Sequence, residues 1–426
     1  MTTNIRAVAL TVLDKCTAAG QYSNIALDTA LKRNPLSPAD RGLLTSLVYG
    51  TLEHLLTLDH FISALSSRGI DEIDGQTRNL LRMGLYQLAF LDRIPDHAAV
   101  NETVDLAPKR TRGFVNAILR AFLRADKKIA LPDRDRDPIA YLSVRYSFAP
   151  AICEKFLSTF GFDRTERLLE AFCQPPTVTL RVNTLKTTRE TLLRELTAQG
   201  FAAEATLESP HGILLRGNAP VPSLPGFSDG LFFVQDEASQ LCTEALDARA
   251  GMNVIDVCAC PGSKSFGIAA SMENSGRLLS CDLHQNKLSL VRSGAERLSI
   301  SIIETVARDA REPNHDWIGA YDRVLCDVPC SGFGVFAKKP ELRYKNPDES
   351  AGLPEIQSAI LRNASTFLRA GGLLVYSTCT LLPEENQENI ARFLQTSPDF
   401  SLLTERTLTP DVDGTDGFYF AVLQKR

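Results

Sequence analysis

Met252-Asn-Val-Ile-Asp256-Val-Cys-Ala-Cys-Pro-Gly262-Ser-Lys264 begins as a strand and ends as a turn of small residues. The apolar run over 252–257 predicts the strand, and Gly262 lets the backbone come close to whatever lies above the turn. The same pattern recurs downstream. Residues 277–281, 302–306, 321–326 and 372–378 are further strand candidates with helical stretches between them, and 417–423 adds one more. The longest helical periodicity runs from Leu353 through Leu368, ended by Gly371-Gly372. Strands alternating with helices predict a mostly parallel, doubly wound α/β sheet over residues 236–426.

Upstream the pattern changes. Apolar residues recur at helical spacing in Ile5, Val8, Ala9, Val12, Leu13 and again in Leu43, Leu44, Leu47, Val48, Leu52, Leu55, which predicts an all-helical bundle over 1–130. Residues 131–138 are polar and flanked by prolines, as a linker would be. Between 140 and 235 the character is mixed. A strand over 177–182 follows Pro175-Pro176, Thr187-x-x-Glu190 fits a capping box opening a helix through Leu196, and 203–207 and 212–215 read as short strands. A small α+β module is expected there.

With 426 residues, 44% of them hydrophobic, the chain has material for two or three cores. No basic-then-apolar N-terminal signal and no long apolar run appear, so a cytoplasmic protein with no membrane partner is expected. Ten cysteines scattered without a secretory signal are expected to stay reduced. They include no C-x-x-C pair, and the six histidines are dispersed, so no metal is expected. The net charge of −5 argues against coating nucleic acid by bulk positive charge, yet Lys109, Arg110, Arg112, Arg120, Arg124, Lys127 and Lys128 face only Asp126 in their stretch. That run is a candidate phosphate-facing surface. A monomer is expected.

Ligands of open α/β sheets gather beyond the carboxyl ends of the strands where strand order reverses, which is where the 256–264 loop belongs. The loop is neither G-x-G-x-x-G nor a P-loop, so a ligand without phosphates is favoured. S-adenosylmethionine suits it: its carboxylate takes backbone N–H groups at a helix start, and its ribose diol takes an acidic acceptor. The expected contacts are Cys258, Ala259, Cys260, Pro261, Gly262, Ser263 and Lys264 from the loop, Asp282 for the ribose, Asp309 for the adenine edge, and Asp327 near the sulfonium and the target base.

Two further strand ends carry cysteines: Cys330 in Asp327-Val-Pro-Cys-Ser331 and Cys379 in Val375-Tyr-Ser-Thr-Cys379. Carbon 5 of cytosine is a poor nucleophile until a thiolate adds at C6, so a thiol pair beside a methyl donor fits cytosine methylation, one thiol attacking and the other assisting release. Asp327 and Lys264 are the polar groups within reach of the base's N3 edge. A base in a duplex cannot present C6, so the substrate is single-stranded or flipped. Cys16, Cys153, Cys173, Cys242 and Cys326 read as packing, and Glu384 and Glu385, after Pro383, as charges of a helix's first turn.

The segments 256–264, Asp282, Asp309, 322–331 and 375–386 together resemble the RNA cytosine-5 methyltransferases of the NOL/NOP2/Sun family. Arg181-Val-Asn-Thr-Leu-Lys186 and Phe233-Val-Gln-Asp-Glu-Ala-Ser239 are similar to the segments preceding that family's core, and the N-terminal helices resemble NusB. The resemblance implies a Rossmann-like methyltransferase domain preceded by a NusB-like RNA-binding bundle and an RNA-recognition-like module, as in the bacterial Sun type acting on small-subunit (16S) ribosomal RNA. It also implies Cys379 as nucleophile and Cys330 as the thiol that aids release. The chain departs from the family at Cys260, usually Ala, at Ser263, usually Gly, and at Ala310, often Gly. Two other readings compete. A DNA cytosine-5 methyltransferase would attack with the Pro-Cys thiol and would not need Cys379; a ribosome-assembly or transcription factor would carry the domain inert.

Overall fold

The computed structural model describes residues 4–217 and 220–426. The chain up to Cys173 together with Lys338–Pro347 forms one unit, and Gln174–Ala337 together with Asp348–Arg426 forms the other.

The first unit is helical: α1 (Ile5–Ala19), α2 (Ser23–Arg33), α3 (Pro38–Glu53), α4 (Leu55–Leu65), α5 (Gly75–Phe90), α6 (Asp96–Leu106), α7 (Lys109–Arg124), α8 (Pro138–Tyr146), α9 (Pro150–Phe160) and α10 (Phe162–Phe172). Its starts are written locally. Asn4, Ser37, Asp74 and Asp137 each accept a first-turn N–H, and Pro38 and Pro138 stand where a helix start has no use for an N–H. The polar run before Pro138 therefore ends as a helix cap. Helix α5 is the hub, buried through Leu80, Leu81, Met83, Leu85 and Leu88. Two of its buried polar side chains are well paired: Asn79 donates to Asp14 and Thr17, both at 2.8 Å, and Arg82 clasps Asp59 through two bonds of 2.7 Å. Helix α7 buries Val115, Ile118, Leu119 and Phe122 and leaves Lys109, Arg110, Arg112, Arg120 and Arg124 exposed. The basic run is thus an outward face.

Lys338–Pro347 completes this unit from far along the chain. Arg343, 2% exposed, donates to the carbonyls of Glu53 (3.0 Å) and Phe172 (2.8 Å), and its guanidinium lies over the Phe148 ring. The Tyr344 hydroxyl bonds the Leu52 carbonyl and receives the Leu55 N–H at 3.2 Å.

The second unit opens with β1 (Val178–Val182), α11 (Arg189–Ala198), β2 (Ala202–Ala205), β3 (Gly212–Arg216) and β4 (Phe232–Val234). These strands make an antiparallel sheet in the order β2-β3-β1-β4, with Leu180, Val182, Leu192, Leu196, Ile213 and Phe232 as its core. A seven-stranded sheet follows, built from α12 (Glu237–Ala245), β5 (Asn253–Asp256), α13 (Ser263–Ser271), β6 (Arg277–Asp282), α14 (Leu288–Leu298), β7 (Ile303–Ala307), β8 (Tyr321–Asp327), α15 (Leu353–Phe367), β9 (Leu368–Thr378), α16 (Gln387–Thr396), β10 (Phe400–Leu408) and β11 (Phe418–Lys425). Its order is β10-β11-β9-β8-β5-β6-β7, parallel from β9 to β7, with β11 antiparallel to both neighbours. The chain moves outward through β5, β6 and β7 and then crosses to β8, so the order reverses between β5 and β8. The crevice of a doubly wound sheet lies there.

One boundary differs from the sequence reading. The long helix ends at Phe367, not at Gly371-Gly372. Residues 369–372 bulge out of β9, whose register jumps from Tyr321↔Leu368 to Arg323↔Leu373, and Gly371 takes the positive φ of +75° that the bulge requires.

Candidate active site

Strand β5 delivers the loop. Asp256 ends the strand at 1% exposure, with Ser265 Oγ donating to it at 2.7 Å and Ser280 Oγ donating in turn to Ser265 at 2.9 Å. Burial, resisted by the Ser265 bond and helped by the nearby Asp327 charge, pushes its carboxyl up to about 7. A carboxyl whose pKa rises on folding contributes stability that is complete below its unfolded value near 4 and lost as pH climbs through about 7. The shift corresponds to on the order of 4 kcal/mol. Asp256→Asn keeps the acceptor for Ser265 without the charge. From pH 5 to pH 8 the melting temperature of the wild type is expected to fall roughly 5–10 °C further than that of the variant, as read by thermal unfolding. Equal slopes would refute the buried titration.

Past Asp256 the loop is pinned on both sides. Ala259 N–H donates to the Cys281 carbonyl at 2.7 Å, and Cys260 N–H to Asp282 Oδ2 at 3.3 Å. Gly262 sits at φ +115°, and a Cβ there would lie 2.7 Å from the Phe266 ring, so both backbone and space require glycine. Ser263 opens α13, whose first N–H groups have no partner within the helix. Cys258 and Cys260 are half-buried; the Cys260 thiol is pushed up to about 12 by burial and then by Asp282. Pro261 is exposed, and the three positions that depart from the family hold small side chains, Ala310 being 9% exposed.

Asp282, at the end of β6, accepts the His284 N–H on Oδ1 at 2.9 Å and the Cys260 N–H on Oδ2. Each oxygen keeps lone pairs for a diol. Free N–H groups at a helix start beside a carboxylate at the next strand end match the donors and acceptors of S-adenosylmethionine. Asp309, two residues past β7, is clasped by Arg311 through Nε at 2.9 Å and Nη2 at 2.5 Å, which holds its carboxyl below the ordinary value. The sequence reading had not paired Asp309 with Arg311.

The register Asp327↔Ser377 lines up β8 and β9, and Cys330 and Cys379 follow three and two residues later. The two Sγ atoms meet at 3.3 Å, both half-buried. Asp327 accepts Lys264 Nζ on Oδ2 at 2.7 Å and Ser377 Oγ on Oδ1 at 2.8 Å. Burial would lower the Lys264 ammonium's pKa, but Asp327 and then the Cys242 and Cys379 sulfurs raise it above its ordinary value. Gly334 closes the floor: its carbonyl accepts the Gly417 N–H at 2.7 Å, and a Cβ there would lie 2.0 Å from the Gly417 carbonyl and 2.9 Å from that of Cys379.

Glu384 and Glu385 stand in the first turn of a 3-10 helix opened by Pro383, as expected, but Glu385 is not a solvated charge. It ends a 3-10 turn before α16, is 1% exposed, and accepts from Ser331 N–H (3.0 Å), Ser331 Oγ (2.5 Å) and Gln357 Nε2 (2.7 Å). Pro383 before two acids is a helix-start signal, and it is the return of the chain beneath the Cys330 loop that buries the second acid. Cys153, Cys242 and Cys326 are buried packing, whereas Cys173 is exposed. Among the described residues no group of three or more His, Cys, Asp or Glu side chains is placed to hold a metal ion, and no helix is long and apolar enough to cross a membrane.

Three family models match this chain: 16S rRNA methyltransferase RsmB/F over residues 243–424, the NusB family over 3–124, and the RsmF/B-like ferredoxin-like domain over 152–222. The chain is 36% identical to the probable ribosomal RNA small subunit methyltransferase B of Bacillus subtilis, covering 100% of this chain and 99% of the relative. To the ribosomal RNA small subunit methyltransferase B of Vibrio cholerae it is 33% identical, over 99% and 98%. The crystal structure of PH0851 covers 100% of both chains with a TM-score of 0.83 at 24% identity, which shows the fold. A methyltransferase homolog from Pyrococcus horikoshii gives a TM-score of 0.61 at 27% identity, covering 68% of this chain and 99% of its own.

Proposed function

The chain belongs to the RsmB/F family of 16S rRNA methyltransferases, and from that premise we propose that it methylates carbon 5 of a cytosine in small-subunit ribosomal RNA through a covalent bond from Cys379 to C6. The observation that carries this reading is the thiol pair, 3.3 Å apart at the ends of adjacent strands, with the Lys264–Asp327 ion pair beside it.

Charge separates the two thiols. Lys264 interacts with the Cys379 sulfur, and the buried Glu385 carboxylate lies against Ser331, next to Cys330. A cation favours thiolate and an anion disfavours it, so the negative sulfur of the pair is Cys379. Its lone pair forms the bond to C6, the C5–C6 π electrons shift to C4–C5, and the C4–N3 π electrons move onto N3, where the Lys264–Asp327 pair hydrogen-bonds the base. The residues that would hold S-adenosylmethionine are the 258–264 loop, Asp282 and Asp309; bound there, it supplies a methyl group made electrophilic by its sulfonium. The C5 proton then leaves to a base, the electron pair reforms the C5–C6 double bond, and the Cys379 thiolate is expelled. Cys330 assists that expulsion.

Residues 1–130 act in this reading as the RNA-binding part, with α7 toward phosphates, and 140–235 as the extension leading into the methyltransferase domain of 236–426. Deproteinised 16S rRNA, methyl-labelled S-adenosylmethionine and bisulfite sequencing test the assignment. One cytosine is expected to become resistant to conversion. Label recovered as an N-methyl or O-methyl product, or bound donor with no transfer at all, overturns it.

A further inference from the structure

Cys330 is held from both flanks. Gln357 Nε2 donates to the Pro329 carbonyl at 3.0 Å on one side, and Glu385 receives the Ser331 N–H and hydroxyl on the other, while Gln357 also donates to Glu385. The Ser331 hydroxyl lies 2.9 Å from Thr380 Oγ1, next to Cys379, so the clamp reaches both cysteine loops. The clamp is anchored from beneath, where the Tyr376 hydroxyl donates to the Glu385 carbonyl at 2.6 Å, Asn389 donates to that hydroxyl at 3.0 Å, and Asn386 donates to the Thr380 carbonyl at 2.9 Å. A carboxylate buried to 1% exposure and served by neutral donors is costly to keep unless its position or its charge is used.

We propose that Glu385 is a positioning residue of the thiol pair, fixing Cys330 against Cys379 and keeping the shared proton on Cys330 so that Cys379 is the nucleophilic sulfur. This rests on the reading of Cys330 as the thiol that assists release. The Cys330 thiol is held well above its ordinary value, first by its hydrogen bond with Cys379 and then by burial, to which the Cys379 and Glu385 charges add.

The full chain carrying Glu385→Gln, which keeps shape and loses charge, is assayed on unmodified 16S rRNA with S-adenosylmethionine. Expected is a kcat lowered roughly 10- to 100-fold with KM for RNA unchanged. A denaturation-resistant protein–RNA adduct absent from the wild type should accumulate, and the pH profile of kcat should move to lower pH. Ser331→Ala removes the hydroxyl's bonds to Glu385 and Thr380 and keeps the charge; it should accumulate less adduct and leave the pH profile in place, which keeps the test decisive if Glu385→Gln does not fold. Wild-type turnover in a folded Glu385→Gln, a fall in kcat with no adduct, or no adduct from Ser331→Ala overturns the proposal. Cys330→Ala is the companion measurement: if it accumulates no adduct, the role of Cys330 in release is what fails, independently of Glu385.

Discussion

Cys379→Ser is expected to lose methyl transfer by roughly 10³-fold or more, while binding of RNA and S-adenosylmethionine is unchanged. A serine hydroxyl in the same place carries almost no anion at neutral pH. The sharper readout is an RNA containing 5-fluorocytosine, in which fluorine blocks proton loss from C5 and strands the covalent intermediate. Wild type and Cys330→Ser should yield a denaturation-resistant adduct, and Cys379→Ser none. The opposite pattern would reverse the assignment and favour the chemistry of DNA cytosine-5 enzymes. The experiment is demanding because the other sulfur lies only 3.3 Å away. Distance alone would let Cys330 substitute, so any adduct surviving in Cys379→Ser measures how firmly the surrounding charges hold the two roles apart.

Lys264→Met should produce the second-largest effect. It strips Asp327 of its 2.7 Å partner and Cys379 of its nearby cation. Removing one partner of a buried pair costs about 3–5 kcal/mol, and here less, because the Asp327 side chain is 28% exposed. The lost cation raises the thiol pKa, so the rise of turnover with pH should shift toward alkaline values, with turnover at pH 7 down roughly 10²-fold. Pairing the change with Asp327→Asn separates the two consequences: thermal unfolding should recover most of the stability, and single-turnover assays should recover none of the rate. A Lys264→Met chain that works normally at pH 7 would remove the cation from the mechanism.

The sequence showed these groups because each stands at the end of a strand whose apolar run is unambiguous: Asp256, Asp282, Asp327, Cys330 and Cys379 all follow β-branched or aliphatic stretches. Strand alternation likewise predicted β5 to β9 and the final β11, while the three-residue β4 (Phe232–Val234) carries too short a signal to be read. Strand β10 was not anticipated, since Phe400–Leu408 is exposed over most of its length and carries little apolar signal. Local signals place Glu385 in the first turn of a helix, where it stands, but cannot show its burial, which comes from Ser331 and Gln357, 54 and 28 residues away in the chain. The Arg311 clasp on Asp309 needs only two residues of separation, so an arginine two places after a strand-end aspartate was a signal available to be used.

Arg343 and Tyr344 have a bearing on how the polypeptide is made. As translation proceeds from the amino terminus, α1 to α10 leave the ribosome first and would ordinarily fold as they emerge. The carbonyls of Leu52, Glu53 and Phe172 and the N–H of Leu55 must wait, however, for a guanidinium and a phenol encoded some 170 codons after the last helix of that unit. A nascent chain halted before Lys338 has therefore made α1 to α10 but lacks the bonds that Arg343 and Tyr344 supply, so completion of the amino-terminal half is timed by synthesis of the segment that follows Cys330.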